Sequence, residues 1–326
     1  MPVVAQSTYR PPFWLPGGHL QTIVPALCRK APLITREKER IELADGDFLD
    51  LQWHRQGREK LVILCHGLEA DWQASYIQEM AATLAAAGWD VLAWSYRGCS
   101  GEMNRLPRFY HSGATGDLGE VIEHACRSHS ATRIDLVGFS LGGNMILKYL
   151  GEQGVKGPSR LGRAVTYSVP CDLACSSRAL DTAFNREVYM RRFIKSLAEK
   201  VRAKHALFPE QMDDTGLDRI RTFREFDDRY TAPLHGFRDA EDYWAQSSSR
   251  PFLPRIRIPA LLITADNDPF LGPNCYPHRE AESSDHFHLE VTHGGGHVGF
   301  ATSRSQSPWM ARRALQFLSA SSDSLA

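Results

Sequence analysis

The chain has 326 residues, of which 43% are apolar and 23% are charged, proportions that are ordinary for a globular protein. Its 38 basic and 38 acidic residues cancel, so no overall positive field argues for a nucleic-acid partner. No apolar run approaches the roughly 20 residues that cross a bilayer, and residues 1–16 lack the pattern of a signal peptide. The seven cysteines show no paired metal-ligand spacing, and several lie within apolar runs. We therefore expect a cytoplasmic protein without a metal site.

In chain order, the pattern of apolar residues predicts alternating strands and helices. Residues 1–38 are expected to be irregular. Two alternating strands that meet at Asp45-Gly46 predict a hairpin over 39–54, because Asp-Gly favours a tight turn. Buried strands are predicted at 61–65, 91–94, 134–137, 164–169, 259–265 and 287–291, and helices at 76–87, 117–128, shortly after 140, and 310–318.

This order predicts an α/β fold, with a mostly parallel sheet, helices on both faces and an antiparallel hairpin at one edge. Residues 171–252 interrupt the alternation and are predicted to be helical, with a charged amphipathic segment over 188–205. Because the sheet is completed only after this stretch, we expect it to form a helical cap inserted into the core. The core then comprises residues 39–170 and 253–326.

The segment Gly138-Phe139-Ser140-Leu141-Gly142 lies where a predicted strand turns sharply into a predicted helix. This is the context of a nucleophile elbow, in which a strained turn exposes a serine hydroxyl. A side chain two residues before or after the serine would collide with the packed turn, so both Gly138 and Gly142 are required. The alternative is a glycine-rich turn with an incidental serine. The strand before Ser140 and the helix after it favour a nucleophile.

A serine needs a histidine to accept its proton and a carboxylate to orient that histidine. On such folds the acid follows the serine in the chain, and the histidine follows the acid. Asp266 and Asp268 both follow a late strand, and the spacing from the strand end favours Asp268, whereas Asp266 suits a turn former. His293 and His297 both lie in the glycine-rich loop after the last strand. We favour His297, which follows the run of glycines.

Two backbone N–H groups are expected to stabilise the oxyanion. One is the amide of Leu141, directly after the serine, and the other is the amide of Leu68, in the loop after the strand 61–65. Gly67 would let this loop approach the serine closely, although an ordinary glycine at a strand end is the alternative.

Further short motifs occur in order along the chain. They are Gly18-His19-Leu20-Gln21-Thr22, His66-Gly67-Leu68, Tyr96-Arg97-Gly98-Cys99-Ser100-Gly101, Tyr110-His111-Ser112-Gly113 with Asp117, Phe226-Asp227, Tyr243-Trp244, Asp268-Pro269-Phe270 and Gly295-Gly296-His297. Together with the segment around Ser140, they make the sequence resemble the YheT-like α/β-hydrolases. That family also includes eukaryotic α/β-hydrolase-domain lipases and medium-chain fatty acid ethyl ester synthases.

The resemblance implies an α/β-hydrolase fold, a triad of Ser140, Asp268 and His297, and esterase or lipase-like activity that needs no cofactor. One departure is Asn267, where many relatives carry a second aspartate before Asp268. The Gly18–Thr22 motif matches the family but suggests no chemistry, so we expect a structural role under the rim of the site.

The main functional hypothesis is a serine hydrolase that cleaves acyl esters through a covalent acyl-enzyme. An alcohol O-acyltransferase would use the same triad, and a catalytically silent binding module would keep only the fold. The expected partner is a small-molecule acyl ester, and the sequence leaves peripheral membrane contact and oligomeric state open. Apolar residues of the cap are expected to shape an acyl pocket over Ser140, and the alternative is that they only pack the cap against the core. They are Phe184, Val188, Tyr189, Phe193, Ile194, Leu197, Phe223, Phe226, Tyr230, Phe237, Tyr243 and Trp244.

Overall fold

The computed structural model describes residues 3–302 and 308–320. The outermost parts of the first and last predicted segments, 1–2 and 321–326, lie outside these residues, as does 303–307.

The described strands are β1 (Glu37–Glu42), β2 (Phe48–His54), β3 (Lys60–Cys65), β4 (Asp90–Ser95), β5 (Arg133–Phe139), β6 (Leu161–Tyr167), β7 (Ala260–Ala265) and β8 (Phe287–Thr292). They form one sheet in the order β1-β2-β4-β3-β5-β6-β7-β8. The pairs β1–β2 and β2–β4 are antiparallel, and the remaining pairs are parallel. The predicted α/β fold with an antiparallel edge is confirmed.

Helices cover both faces of the sheet. They are α1 (Gly17–Cys28), α2 (Ser75–Ala86), α3 (Thr115–Ser128), α4 (Leu141–Gln153), α5 (Leu173–Leu180), α6 (Ala183–Asn185), α7 (Arg191–Leu207), α8 (Phe223–Phe226), α9 (Ala232–His235), α10 (Ala240–Ser247), α11 (His278–Glu282) and α12 (Trp309–Ser319). All residues of β7, and all of β3 except Lys60, are buried. Continuous apolar runs are typical of parallel strands that are covered on both faces.

The expectation that residues 1–38 are irregular is wrong, because they contain α1 and the start of β1. Two glycines at the start of α1 and Pro25 within it weaken the helical signal in the sequence. Tertiary contacts compensate for this low helix propensity, since Gln21, Thr22 and Pro25 are buried against the rest of the chain.

Six of these helices, α5 to α10, lie between β6 and β7, where the sequence predicts the cap. Two π-helical turns, Arg186–Met190 and Asp227–Thr231, connect α6 to α7 and α8 to α9. The exact division into a core and a cap over 171–252 remains a prediction. Within the described part of the chain, no helix is long and apolar enough to cross a membrane.

The packing between β5 and α4 leaves no room for a side chain at the two elbow glycines. A Cβ on Gly138 would lie 2.7 Å from the carbonyl oxygen of Gly142, and one on Gly142 would lie 2.5 Å from the carbonyl oxygens of Cys65 and His66. These neighbours are backbone atoms, which cannot rotate away. The end of β3 and the start of α4 therefore pack in direct backbone contact.

We expect Gly142→Ala to lower the free energy of unfolding by about 1–3 kcal/mol, the usual cost of overpacking. Gly116→Ala in α3 is the matched control, because a Cβ there would meet no atom within 4 Å. Urea unfolding followed by circular dichroism measures both. Equal stabilities for the two variants would contradict the proposed backbone contact.

Candidate active site

Ser140 has a strained backbone at the junction of β5 and α4. Its φ is 51° and its ψ is −118°, a combination that few non-glycine residues adopt. Its N–H donates to the carbonyl oxygen of Tyr167 (2.8 Å), and its carbonyl oxygen accepts from the N–H of Asn144 (3.0 Å). Strain of this kind costs about 1–3 kcal/mol and persists only where the surroundings fix it. The turn has the geometry that the sequence predicts for a nucleophile elbow.

The structure brings Ser140, His297 and Asp268 into one hydrogen-bonded chain. The Nε2 atom of His297 lies 2.9 Å from the Oγ atom of Ser140. The Nδ1 atom of His297 lies 2.9 Å from Oδ2 and 3.1 Å from Oδ1 of Asp268. The side chain of Asp268 is fully buried, and 9% of the His297 side chain is exposed. With a proton on Nδ1, the carboxylate fixes the ring so that Nε2 faces the serine.

The alternative acid and histidine pair with each other, away from the serine. The Nδ1 atom of His293 lies 2.9 Å from Oδ2 of Asp266, and 91% of the His293 side chain is exposed. The Oδ1 atom of Asp266 accepts from the N–H of Gly294 (2.8 Å), as expected for a turn-forming aspartate. Of the two registers that the sequence left open, this geometry favours the one with Asp268 and His297.

In the loop after β3, one backbone N–H near Ser140 donates a hydrogen bond within the described part of the protein and the next one does not. The N–H of Gly67 donates to the hydroxyl of Tyr76 (2.9 Å). In contrast, the amides of Leu68 and Leu141 donate to no acceptor among the described residues, although both residues line the cavity above Ser140. A Cβ on Gly67 would lie 3.5 Å from the Cβ of Ser140, so the loop approaches the serine closely. The sequence predicts these two amides as the oxyanion donors, and that role stays a prediction.

Two aromatic side chains fix this loop. His66 is buried, and its Nε2 atom accepts from the N–H of Tyr96 (3.2 Å), so its Nδ1–H donates to the carbonyl oxygen of Gly67 (2.7 Å). Burial lowers the pKa of His66 to about 3, which keeps the ring neutral. Burial raises the pKa of Tyr76 to about 12, so its phenol stays protonated while it accepts from Gly67. Sequence reasoning did not identify Tyr76, which is nine residues away from Gly67.

Phe270 is a second residue whose role the sequence pattern does not show. Its ring stacks on the imidazole of His297, with centroids 4.0 Å apart and an interplanar angle of 22°. Its backbone N–H donates to Oδ1 of Asp268 (2.9 Å). Phe270 therefore contacts both His297 and Asp268. Its position two residues after Asp268 was the only signal available.

A cavity of about 1070 Å³ opens above Ser140, between the sheet edge and the helices after β6. Eight of the twelve apolar residues expected to shape a pocket line it: Val188, Tyr189, Phe193, Leu197, Phe223, Phe226, Tyr243 and Trp244. The other four do not. Ile194 and Tyr230 are buried in the core, Phe184 is half exposed, and Phe237 packs against Tyr243.

One wall of the cavity is polar. Glu69 follows Leu68 and has a positive φ of 53°. Its carboxylate lies 2.8 Å from the Nζ atom of Lys200 and accepts a hydrogen bond from the hydroxyl of Tyr110 (2.8 Å). The negative charge of Glu69 and the positive charge of Lys200 compensate each other. Among the described residues, no group of three His, Cys, Asp or Glu side chains is arranged to hold a metal ion.

Comparison with known proteins shows to which family the chain belongs. A family model described as the alpha/beta hydrolase fold matches residues 60–303. YheT of Escherichia coli strain K12, which is named as an esterase, is 37% identical in an alignment of 289 positions, which covers 86% of this chain and 84% of YheT. Human phospholipase ABHD3 is 29% identical in an alignment of 330 positions, which covers 98% of this chain and 80% of that protein.

Among solved structures, the Pyrococcus furiosus esterase Pf2001 has a TM-score of 0.57 at 16% sequence identity. The alignment covers 89% of this chain and 98% of that esterase, and this likeness shows the fold. The family model and the similarity to YheT agree with the resemblance that the motifs predict. The chain belongs to the α/β-hydrolase family, in the group of proteins related to YheT.

Proposed function

We propose that the protein is a carboxylic ester hydrolase that uses Ser140 as nucleophile, His297 as general base and Asp268 as the orienting acid. The observation that carries this proposal is the unbroken hydrogen-bonded chain from the Ser140 hydroxyl to the buried Asp268 carboxylate. Relatives of the chain are named as an esterase and a phospholipase, which supports an ester as substrate.

In the first half of the proposed reaction, the Oγ atom of Ser140 attacks the ester carbonyl carbon while Nε2 of His297 takes the hydroxyl proton. The carbonyl oxygen becomes an oxyanion, which the amides of Leu68 and Leu141 stabilise by hydrogen bonds. The bond to the alcohol oxygen then breaks, and His297 returns the proton to the departing alcohol. An acyl group remains on Ser140.

In the second half, His297 takes a proton from a water molecule that attacks the acyl carbon. The bond to Oγ breaks, the serine regains its proton, and a carboxylic acid leaves. Asp268 stays ionised throughout and stabilises the positive charge on the imidazole. An alcohol in place of water would turn the same steps into ester synthesis, and product analysis in the presence of added ethanol separates the two outcomes.

The cavity supports an acyl chain as the part of the substrate that is recognised. Its cap side presents aromatic and aliphatic side chains such as Phe193, Phe226 and Trp244. Ligand pockets of this kind bind through apolar contacts and orient the ligand through a few polar groups. We propose that residues 171–252 act as the cap that shapes this pocket. A cytoplasmic location is also proposed, since all seven cysteines are free thiols.

Ser140→Ala should reduce hydrolysis of p-nitrophenyl butyrate by at least about 10³-fold, because the nucleophile is lost while the oxyanion donors remain. The fold should be retained, since alanine is smaller than serine. Ser177→Ala is the control, as this serine lines the same cavity without a hydrogen bond to His297. Equal loss of activity in both variants would argue against Ser140 as the nucleophile.

Asp268→Asn should lower kcat by roughly 10³–10⁴-fold, because the orienting charge on the histidine is removed. Asp266→Asn should change kcat by less than about threefold, since Asp266 pairs with a histidine that is exposed to solvent. Steady-state kinetics of the two variants tests which aspartate orients the histidine. The reverse order of effects would assign the acid to Asp266.

The value of kcat/KM should rise from acetyl to at least hexanoyl esters of p-nitrophenol. Each methylene buried in the cavity contributes up to about 0.8 kcal/mol, which corresponds to roughly fourfold per carbon. A series of straight-chain esters measures this directly. A steady fall from acetate upward would rule out an acyl pocket of the proposed kind.

A further inference from the structure

The motif Gly18–Thr22 has no part in the reaction steps above, yet α1 presents it to the active site. Gln21 and Thr22 are the relevant side chains, with exposures of only 3% and 6%. They face two loops that we name the acid loop, residues 266–270, and the histidine loop, residues 293–299. These loops carry Asp268 and His297.

The side-chain amide of Gln21 connects the two loops. Its Oε1 atom accepts from the N–H of Gly295 in the histidine loop (2.6 Å) and from Nδ2 of Asn267 in the acid loop (3.0 Å). Its Nε2 atom donates to the carbonyl oxygen of Leu15 (2.7 Å), which fixes the orientation of the amide. In turn, Oδ1 of Asn267 accepts from the N–H of Gly296 (3.0 Å). One buried amide therefore sets the spacing between the loops.

The hydroxyl of Thr22 binds the histidine residue itself. Its Oγ1 atom accepts from the backbone N–H of His297 (2.8 Å) and donates to the carbonyl oxygen of Gly18 (2.7 Å). The second bond directs the hydroxyl proton along the helix, so a lone pair faces His297. The backbone of the general base is thus bound to α1, in addition to the bond from its ring to Asp268.

The backbone of α1 also contacts both loops directly. A Cβ on Gly18 would lie 1.9 Å from the carbonyl oxygen of Asn267, and a Cβ on Gly299 would lie 1.8 Å from the carbonyl oxygen of Gln21. No side chain fits at either place. The contact therefore leaves little freedom for either loop to move relative to α1.

We propose that Gln21 and Thr22 are positioning residues that align His297 and Asp268 for proton transfer from Ser140. The inference rests on the proposed function. Acid and base come from different loops, and catalytic groups must be held within about 0.5 Å of their productive geometry. A displacement of 1 Å can cost about 10²-fold in rate. Helix α1 is a third element that holds both loops. Its hydrogen bonds do not involve the imidazole ring, so they stay the same when the ring gains its proton.

Thr22→Val tests the hydroxyl with little change in shape. It should lower kcat at least tenfold, while KM changes by less than about twofold. Thr22→Ser keeps the hydroxyl and should restore kcat to within about threefold of the wild type. Thr83→Val is the matched control, because Thr83 makes the same hydrogen bond to the carbonyl four residues earlier in its helix, Glu79 (2.9 Å), and does not contact either loop.

Gln21→Leu should lower kcat to a similar or greater extent, since it removes all three hydrogen bonds of the amide. Gln78→Leu is its control. Gln78 is equally buried, at 3% exposure, and bonds to Trp72 (2.6 Å) and Arg36 (2.7 Å) instead of the two loops. Thermal unfolding of each pair separates lost stability from lost alignment.

The second readout is the rate at which a fluorophosphonate modifies Ser140 in each variant. In this reaction Oγ bonds to phosphorus, fluoride leaves, and His297 accepts the proton, so the rate depends on alignment. We expect at least a tenfold decrease in Thr22→Val and Gln21→Leu, and wild-type rates in the two controls. Wild-type rates in Thr22→Val, or an equal decrease in Thr83→Val, would overturn the inference alone. A wild-type enzyme that is not modified at Ser140 would overturn the proposed function as well.

Discussion

The relative placement of three carboxyl-terminal strand ends is the constraint on which the site depends. Ser140 follows β5, Asp268 follows β7 and His297 follows β8, and β6 lies between the first two strands. Parallel pairing brings these ends to one edge of the sheet, which is where α/β folds place their ligands. The hydrogen-bonded chain from Ser140 to Asp268 nevertheless requires a precision of tenths of an ångström, which strand pairing alone does not give to loops.

Additional contacts supply that precision at each of the three positions. The turn at Ser140 is fixed by backbone bonds to Tyr167 and Asn144. Phe270 contacts both His297 and Asp268, and the next loop residue after the histidine, Val298, donates from its N–H to the hydroxyl of Ser168 (2.9 Å). Helix α1 contacts the acid and histidine loops together. The contacts around the site therefore determine where the reacting atoms lie.

The sheet, its antiparallel edge and the strand-to-helix turn at Ser140 could be predicted from the sequence, because their apolar patterns and glycines act locally. The choice of Asp268 over Asp266 followed from spacing, and the geometry favours the same residue. Helix α1 could not be predicted, because its glycines and Pro25 disfavour a helix and its stability comes from contacts with distant loops. The roles of Tyr76 and Gln21 also depend on contacts between residues that are far apart in the chain, which no local pattern encodes.

The central claim is that Ser140 carries the acyl group during turnover. Reaction with p-nitrophenyl dimethylcarbamate tests it directly, because a carbamoyl group on a serine is hydrolysed slowly enough to be isolated. We expect release of one equivalent of p-nitrophenol per active site, and peptide mass spectrometry should place the carbamoyl group on Ser140. A carbamoyl group on another residue of the cavity, or an undiminished burst in Ser140→Ala, would contradict it.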